Sequence, residues 1–325
     1  MPRIDTGGAS REDSAAARAG FAPAQREKSP AALWLPLVTP MRGGELDLPG
    51  AQRLAAHYVA SGVDGLVILG TTGEGGLLSP AERLTFTAAV LEAVDGTVPV
   101  LAGAGGVDTR AVCEQVRQLD RFDLAGYLVP PPYYLRPGDE GIAWHFERVA
   151  DATWRPLMLY NVPKRTGCSL SLALVRRLAL HPRIVAVKEC DATGLRELAG
   201  NDLLAVFCGE DAAMLDHLLA GGDGVVPACA HIRPDLFVRL LRMVAAGRHE
   251  AARALFARLA PLISLLFSEP NPVPVKAALA LCGLIGSEVR RPLAPASRAL
   301  QEQLDRVIAS LPPVEAAERT LLSAS

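Results

Sequence analysis

The sequence predicts an α/β fold, a (β/α)8 barrel with a small helical appendage at its C-terminal end. Eight short apolar runs recur at roughly even intervals from residue 33 onward, and segments with helical period lie between them. Strands that alternate with helices form a parallel sheet, and eight such units are the number that closes a barrel. The predicted strands span residues 33–38, 65–70, 98–103, 126–130, 156–160, 184–188, 204–209 and 224–229.

The clearest helix between the strands covers residues 79–94. Ser79 caps it, Pro80 occupies the first turn, and Glu82 completes a capping box. A doubly wound open sheet is the structural alternative. Its G-x-G-x-x-G fingerprint is missing, because the Gly-Ala-Gly-Gly of residues 103–106 lacks the last glycine.

The chain divides into four parts. Residues 1–30 show no hydrophobic period, which is typical of a disordered extension, and residues 31–246 form the predicted barrel. Residues 247–312 form a helical domain, in which we expect Pro261 to kink a long apolar helix. Residues 313–325 are expected to form a frayed tail.

Composition favours small-molecule chemistry in the cytoplasm. The formal net charge of −2 indicates neither nucleic acid nor an anionic membrane as a partner. The six cysteines form no C-x-x-C motif and are typical of reduced thiols, and the dispersed histidines predict no metal. We expect no cofactor, and no apolar stretch reaches the ~18 residues of a membrane span.

Lys188 ends the sixth predicted strand, the apolar run Ile-Val-Ala-Val that begins at residue 184. Of the four lysines in the chain, it is the one that we expect to be desolvated. Burial disfavours the charged form, so it lowers the pKa of the amine and makes it a nucleophile. The simpler interpretation is a strand-end lysine that pairs with a carboxylate such as Glu189.

Polar residues also follow the second predicted strand, where the chain reads Gly-Thr-Thr-Gly-Glu. In barrels the chemistry lies at the C-terminal ends of the strands. The hydroxyls of Thr71 and Thr72 and the backbone N–H groups up to Gly73 suit a bound carboxylate. Threonines in such turns also commonly cap the following helix, and the sequence leaves both interpretations open.

Tyr134 follows the fourth predicted strand and Tyr160 ends the fifth, next to the strand that carries Lys188. Their position favours a proton-handling cluster over simple packing. Arg165 lies in a loop bounded by Pro and Gly, where it either grips a substrate carboxylate or remains solvated. A desolvated lysine with phenols and hydroxyls predicts a Schiff-base enzyme that acts on a carbonyl compound.

At this point the sequence resembles a known family, the pyruvate-dependent lyases and synthases typified by dihydrodipicolinate synthase. The likeness covers residues 33 to about 310 and rests on five motifs in the family's order. They are Gly-Thr-Thr-Gly-Glu at 70–74, Pro-Tyr-Tyr at 132–134, Tyr-Asn-Val-Pro-x-Arg-Thr-Gly at 160–167, Val-Lys-Glu at 187–189 and Glu-Pro-Asn-Pro-x-Pro-Val-Lys at 269–276.

The resemblance implies an imine between Lys188 and pyruvate, whose carboxylate would lie against Thr72 and the backbone of residues 71–73. Thr71, Tyr134 and Tyr160 would relay protons. Tyr134 would reach across a subunit interface into the neighbouring site, within a homotetramer built as a dimer of dimers.

The same resemblance implies the second substrate and the remaining contacts. Arg165 would hold the carboxylate of L-aspartate 4-semialdehyde, while Gly209 and the carbonyl of Val226 would line the pyruvate pocket. The product, 4-hydroxy-tetrahydrodipicolinate, would enter lysine and diaminopimelate biosynthesis.

The sequence departs from the family pattern at several positions. Gly75 replaces a small polar residue, which removes a hydrogen-bonding link near the pocket. Feedback-sensitive members bind L-lysine through a set of residues at the dimer interface. The matching positions here are Pro80, Val107 and Ala111, and only Tyr133 of the set is retained. We therefore predict an enzyme that is insensitive to L-lysine.

Two other functions stay open from the sequence. An aldolase or lyase for 2-keto-3-deoxy sugar acids or N-acetylneuraminate shares the fold and Lys188. Arg165 and the Thr71-Thr72 pair favour the synthase over it, and Gly75 keeps it open. A catalytically silent ligand-binding barrel would be expected to have lost part of the proton relay.

Overall fold

The computed structural model of the chain describes residues 30–313. Apart from Pro30 and Pro313, the predicted extension and tail lie outside the described residues. Eight parallel strands close into a barrel in which each strand pairs with its neighbours in chain order, so the predicted (β/α)8 fold is confirmed. The barrel strands are β1 (Ala32–Pro36), β4 (Gly65–Ile68), β5 (Val100–Gly103), β6 (Gly126–Val129), β7 (Leu157–Asn161), β8 (Ile184–Glu189), β9 (Ala205–Cys208) and β10 (Gly224–Val225).

A small antiparallel hairpin follows β1, formed by β2 (Met41–Arg42) and β3 (Glu45–Leu46). The sequence does not predict this hairpin, since strands of two residues carry no readable alternation. Gly43 and Gly44 form its turn at φ +60° and +84°, where glycine has no steric cost. Their N–H groups donate to the carboxylate of Glu288 at 2.8 and 2.5 Å, which joins the hairpin to the C-terminal segment.

Helices surround the barrel and continue beyond it. The capping box of Ser79 and Glu82 is confirmed, with the Glu82 N–H donating to Ser79 Oγ at 3.2 Å. The helices that accompany the barrel are α1 (Leu48–Ala60), α2 (Pro80–Val94), α3 (Thr109–Leu119), α4 (Asp139–Asp151), α5 (Pro163–Thr166), α6 (Leu172–Leu178), α7 (Ala192–Leu198), α8 (Met214–Leu219) and α9 (Pro234–Ala245). Short 3-10 turns occur at Gly75–Leu77, Asp211–Ala213 and Cys229–His231.

Three helices follow the barrel, namely α10 (His249–Leu266), α11 (Val273–Leu281) and α12 (Arg298–Ser310). Helix α10 continues past Pro261 as a single element. Helix α11 starts within the proline-rich motif of residues 269–276. Proline suits this position because the first turn of a helix leaves its N–H groups unpaired in any case. Within residues 30–313, no helix has the length and apolar character needed to cross a bilayer.

The barrel interior has its own apolar core, separate from the larger one between the strands and the helices. Trp34 and Phe207 meet edge to face inside the barrel with ring centroids 6.4 Å apart. Phe207 on β9 is paired in register with Lys188 on β8. Side chains alternate between the two faces of a strand, so Ala186 faces inward and Val187 outward. The same alternation turns Lys188 toward the interior.

Candidate active site

Lys188 lies at the end of β8 inside the barrel, with 6% of its surface exposed. Its Nζ is 4.9 Å from the centroid of the Tyr160 ring, and the two residues are paired in register across β7 and β8. Burial lowers the pKa of Lys188. No carboxylate of residues 30–313 forms an ion pair with this amine, and its predicted burial is confirmed.

The simpler interpretation, a pair between Lys188 and Glu189, is wrong. Consecutive strand residues point to opposite faces, so the Glu189 carboxylate lies outside the barrel. It accepts hydrogen bonds from Asn161 Nδ2 at 2.8 Å and from the Asp191 N–H at 2.7 Å. Burial raises the pKa of Glu189 to about 7.

Tyr160 stands next to Lys188, and 8% of its surface is exposed. Burial raises the pKa of the phenol, whereas a hydrogen bond with the side chain of Thr71 lowers it in part. The phenol therefore keeps its proton at neutral pH and can donate it to a reacting oxygen. Within a single chain the structure brings together Lys188, Tyr160 and Thr71.

The turn after β4 presents free backbone donors. Among residues 30–313, no acceptor is paired with the N–H groups of Thr71, Thr72 and Gly73. The carbonyl of Gly73 accepts from Thr39 Oγ1 at 2.6 Å, which holds the turn against the end of β1. Successive free N–H groups of this kind form a concave site for an anion.

Gly75 follows in the same turn. A Cβ at this position would lie 1.9 Å from the carbonyl oxygen of Leu69, so the backbone conformation here accepts glycine alone. This finding adds a reason for the glycine, while the lost hydrogen-bonding link stays a prediction. Close backbone packing accounts for the residue.

A buried ion pair fixes the turn from the C-terminal side. Glu74 has φ +53°, and its carboxylate pairs with the amine of Lys276 and accepts from the Arg290 N–H at 2.8 Å. Lys276 has no exposed surface, and its Nζ also donates to the carbonyl of Glu288 at 2.8 Å. The sequence suggested Lys188 as the one desolvated lysine, but Lys276 is desolvated as well. Lys276, however, is held by its carboxylate partner and offers no free amine.

Asn271 forms a second link between the same two segments. Its Nδ2 donates to Thr72 Oγ1 at 2.9 Å. Neither Asn271 nor Glu74 is predicted from the sequence as a site residue. One sequence signal could have predicted Glu74. Lys276 is a lone lysine within an otherwise apolar helix, which indicates a buried acid opposite it.

A cavity of about 330 Å³ opens next to these groups. Its lining includes Thr71, Tyr160 and Arg165 among the predicted site residues, together with Tyr133 and Asn271. Four other predicted residues, namely Thr72, Gly73, Lys188 and Val226, are buried and lie outside that lining, and so does the half-buried Gly209.

Gly209 lies directly against Lys188. A Cβ at this position would meet Lys188 Cε at 2.4 Å and Cys190 Sγ at 2.5 Å, so the lysine side chain occupies the space that a larger residue would need. Val226 follows β10 in the barrel interior, and its N–H donates to the carbonyl of Cys208 at 2.8 Å.

Asp211 is a further charged group near Lys188 that the sequence analysis missed. Its surface is 2% exposed, and its carboxylate accepts from the Cys229 N–H at 2.7 Å. Burial raises the pKa of Asp211 to about 6, although the charge of Lys188 opposes this shift. Asp211 therefore acts on Lys188 through its field.

Tyr134 does not join Tyr160 within the chain. It is 86% exposed at φ +71°, and the neighbouring Leu135 is 61% exposed. Arg165 is also exposed, on the single turn of α5. Within the described residues, the exposed Tyr134 therefore lies apart from the buried Lys188 and Tyr160.

The fold and the site define the class of this protein. It is a (β/α)8 barrel with a buried lysine on its sixth strand and a phenol in register on the fifth. The chain is a member of the dihydrodipicolinate synthetase family, whose model matches residues 30–311.

A relative from Moorella thermoacetica, named 4-hydroxy-tetrahydrodipicolinate synthase, is 40% identical over 281 residues, which are 85% of this chain and 95% of that protein. The chain also resembles a monomeric dihydrodipicolinate synthase variant, with 35% identity and a TM-score of 0.83 over 86% of this chain and 96% of that one. The chloride-inhibited enzyme from Acinetobacter baumannii, solved with pyruvate, is 32% identical with a TM-score of 0.83 over 86% of this chain and 98% of that one.

Proposed function

We propose that the chain condenses pyruvate with L-aspartate 4-semialdehyde to give 4-hydroxy-tetrahydrodipicolinate. The observation that carries the proposal is the buried amine of Lys188 beside the Tyr160 phenol. Family membership, the name of the Moorella relative and the pyruvate in the Acinetobacter structure support it.

In this mechanism the neutral amine of Lys188 attacks the ketone carbon of pyruvate. Tyr160 donates a proton to the departing oxygen, which leaves as water, and the imine remains. The Tyr160 phenolate takes a proton from the methyl group to give an enamine. The enamine carbon then forms a bond to the aldehyde carbon of the second substrate, and Tyr160 returns the proton to the aldehyde oxygen, which becomes a hydroxyl. The amino group of that substrate then displaces Lys188 and closes the ring, which restores the free enzyme.

The remaining predicted residues have binding roles in this proposal. Thr72 and the free N–H groups of residues 71–73 hold the carboxylate of pyruvate. Gly209 gives the lysine its space, and the carbonyl of Val226 lines the pocket. Arg165 binds the carboxylate of the semialdehyde bidentately from the edge of the cavity.

We further propose that the active form is a dimer within a homotetramer. The support is the exposed pair Tyr134 and Leu135, an apolar projection that a partner would cover. Tyr134 would complete the relay of Thr71 and Tyr160 in the partner's site. The reaction as proposed needs no metal or other cofactor and takes place in the cytoplasm.

The proposed enzyme is insensitive to L-lysine. The residues at the matching positions, Pro80, Val107 and Ala111, carry neither a charge nor a side-chain hydrogen-bonding group. A zwitterion needs partners for its ammonium and its carboxylate. Tyr133 alone, which lines the main cavity, provides one hydroxyl.

The second substrate is the part of the proposal that a direct assay tests. The purified protein is given pyruvate with L-aspartate 4-semialdehyde, N-acetylmannosamine or short sugar aldehydes in parallel. We expect turnover with the semialdehyde to exceed that with every sugar aldehyde. Preferential turnover of a sugar aldehyde would assign the chain to the aldolases, and a lack of turnover with all of them would support a silent barrel.

A further inference from the structure

The contact between Asn271 and Thr72 joins two segments that are far apart in the chain. The amide Nδ2 of Asn271 donates to the Thr72 hydroxyl oxygen at 2.9 Å, and Thr72 is 4% exposed. Asn271 also lines the cavity that Tyr160 and Thr71 share.

The direction of this hydrogen bond determines which further hydrogen bonds the Thr72 hydroxyl can form. A hydroxyl has one proton to donate and two lone pairs that accept. Asn271 occupies one lone pair, and no acceptor among residues 30–313 takes the hydroxyl proton. The proton is therefore free for a ligand, and a donor behind the oxygen polarises the O–H bond further.

The alignment of the two segments is fixed by the buried ion pair close by. Lys276, five residues after Asn271, pairs with Glu74, two residues after Thr72. Removal of one partner of a buried pair leaves an uncompensated buried charge, so this link resists displacement. Two contacts, 271 with 72 and 276 with 74, thus hold the turn against the C-terminal segment.

Burial of the Asn271 amide has a free-energy cost that a purely structural role does not explain. Its Oδ1 is buried and accepts no hydrogen bond from the described residues. The free-energy cost of a buried unpaired acceptor is comparable to what the bond to Thr72 contributes. Asn271 therefore contributes little to the free energy of unfolding.

We infer that Asn271 is a positioning residue that orients the Thr72 hydroxyl as a hydrogen-bond donor to the substrate carboxylate. The inference rests on the proposed function, because it names the group that prepares the pyruvate-binding turn. Asn271 acts through Thr72 and takes no part in the bond changes.

The test uses Asn271→Leu, which keeps the shape of the side chain and removes both polar atoms. The concentration of pyruvate that gives half-maximal borohydride trapping on Lys188 is measured for the full-length protein. We expect a rise of about tenfold, the value of one hydrogen bond to a charged group, with a melting temperature close to that of the wild type. Asn271→Ala is measured in the same way, should the leucine variant fail to fold.

A double-mutant cycle separates positioning from structure. Thr72→Val removes the hydroxyl, and adding Asn271→Leu to it should raise the half-saturating concentration no further. A full additional rise in the Thr72→Val background would overturn the inference, and so would an unchanged half-saturation in Asn271→Leu. If the wild type itself traps no pyruvate on Lys188, the proposed function fails, which is a separate outcome.

Discussion

The amine of Lys188 lies 4.9 Å from the centre of the Tyr160 ring, on a strand paired in register with that of the tyrosine. A ring in this position attracts a cation, whereas burial disfavours one. Burial prevails, because the pKa of Lys188 is lowered. The amine is therefore more available as a nucleophile than that of an ordinary lysine.

Replacement of the neighbouring phenol tests its role in proton transfer. Tyr160→Phe keeps the ring beside Lys188 and removes the hydroxyl. We expect kcat to fall by about 100-fold or more, the usual contribution of a positioned acid or base, with little change in melting temperature. Steady-state kinetics with both substrates checks this.

Tyr58→Phe is the matched control, since the buried Tyr58 phenol donates to the carbonyl of His231 at 3.2 Å, away from the predicted site residues. This variant should lower the melting temperature and leave kcat within about twofold of the wild type. Equal losses of kcat in both variants would contradict a specific role for Tyr160.

The lowered pKa of Lys188 also predicts how stability depends on pH. Between the folded pKa and the unfolded value of ~10.4, the unfolded chain binds more protons, so the free energy of unfolding falls as pH falls. Lys188→Met lacks this effect. Its stability advantage over the wild type should grow by about 1.4 kcal/mol per pH unit as pH falls through that window, and remain constant below it.

Denaturant unfolding of the wild type and the variant at a series of pH values gives this difference. Lys164→Met is measured in parallel as a surface lysine for comparison, because the Lys164 side chain is 81% exposed and pairs with Glu210 at 3.1 Å. Parallel stability curves for Lys188→Met and the wild type would show that the amine is solvated in solution.

The barrel could be predicted well because the sequence patterns that define its strands and helices are local. Each of the eight strands is a short apolar run, and the Ser79 capping box is visible in the sequence itself. The burial of Lys188 could be predicted in the same way, from the apolar residues before it and its place at the end of a strand.

Two contacts at the site that the sequence did not predict join distant segments. Glu74 with Lys276 and Asn271 with Thr72 are separated by about 200 residues, and no local pattern pairs them. The requirement for glycine at position 75 depends on the path of the Leu69 backbone, which only the folded turn defines.

The proposed exchange of Tyr134 between subunits predicts complementation between two defective variants. Lys188→Met and Tyr134→Phe are expressed together and purified as mixed oligomers. A mixed dimer has one site with Lys188 from one subunit and Tyr134 from the other. With random pairing, about a quarter of wild-type activity should return.

Each variant expressed alone gives the baseline of this experiment. Activity of the mixture equal to the mean of the two baselines would show that Tyr134 serves its own chain or none. Sedimentation of the wild type, measured in parallel, should show an oligomer.

Feedback by L-lysine offers an independent prediction. With Pro80, Val107 and Ala111 at the positions that would contact the effector, we expect initial rates to be unchanged at millimolar L-lysine. The assay uses pyruvate and the semialdehyde at half-saturating concentrations. Half-maximal inhibition at sub-millimolar L-lysine would show that other residues form the effector site.

The central claim, a nucleophilic amine on Lys188, is tested most directly by trapping. The protein is incubated with pyruvate and reduced with borohydride, and its peptides are analysed by mass spectrometry. We predict one reduced pyruvate per chain, attached to Lys188, and none in Lys188→Met. An adduct on Lys164 or Lys276, or no adduct on any lysine, would contradict the account.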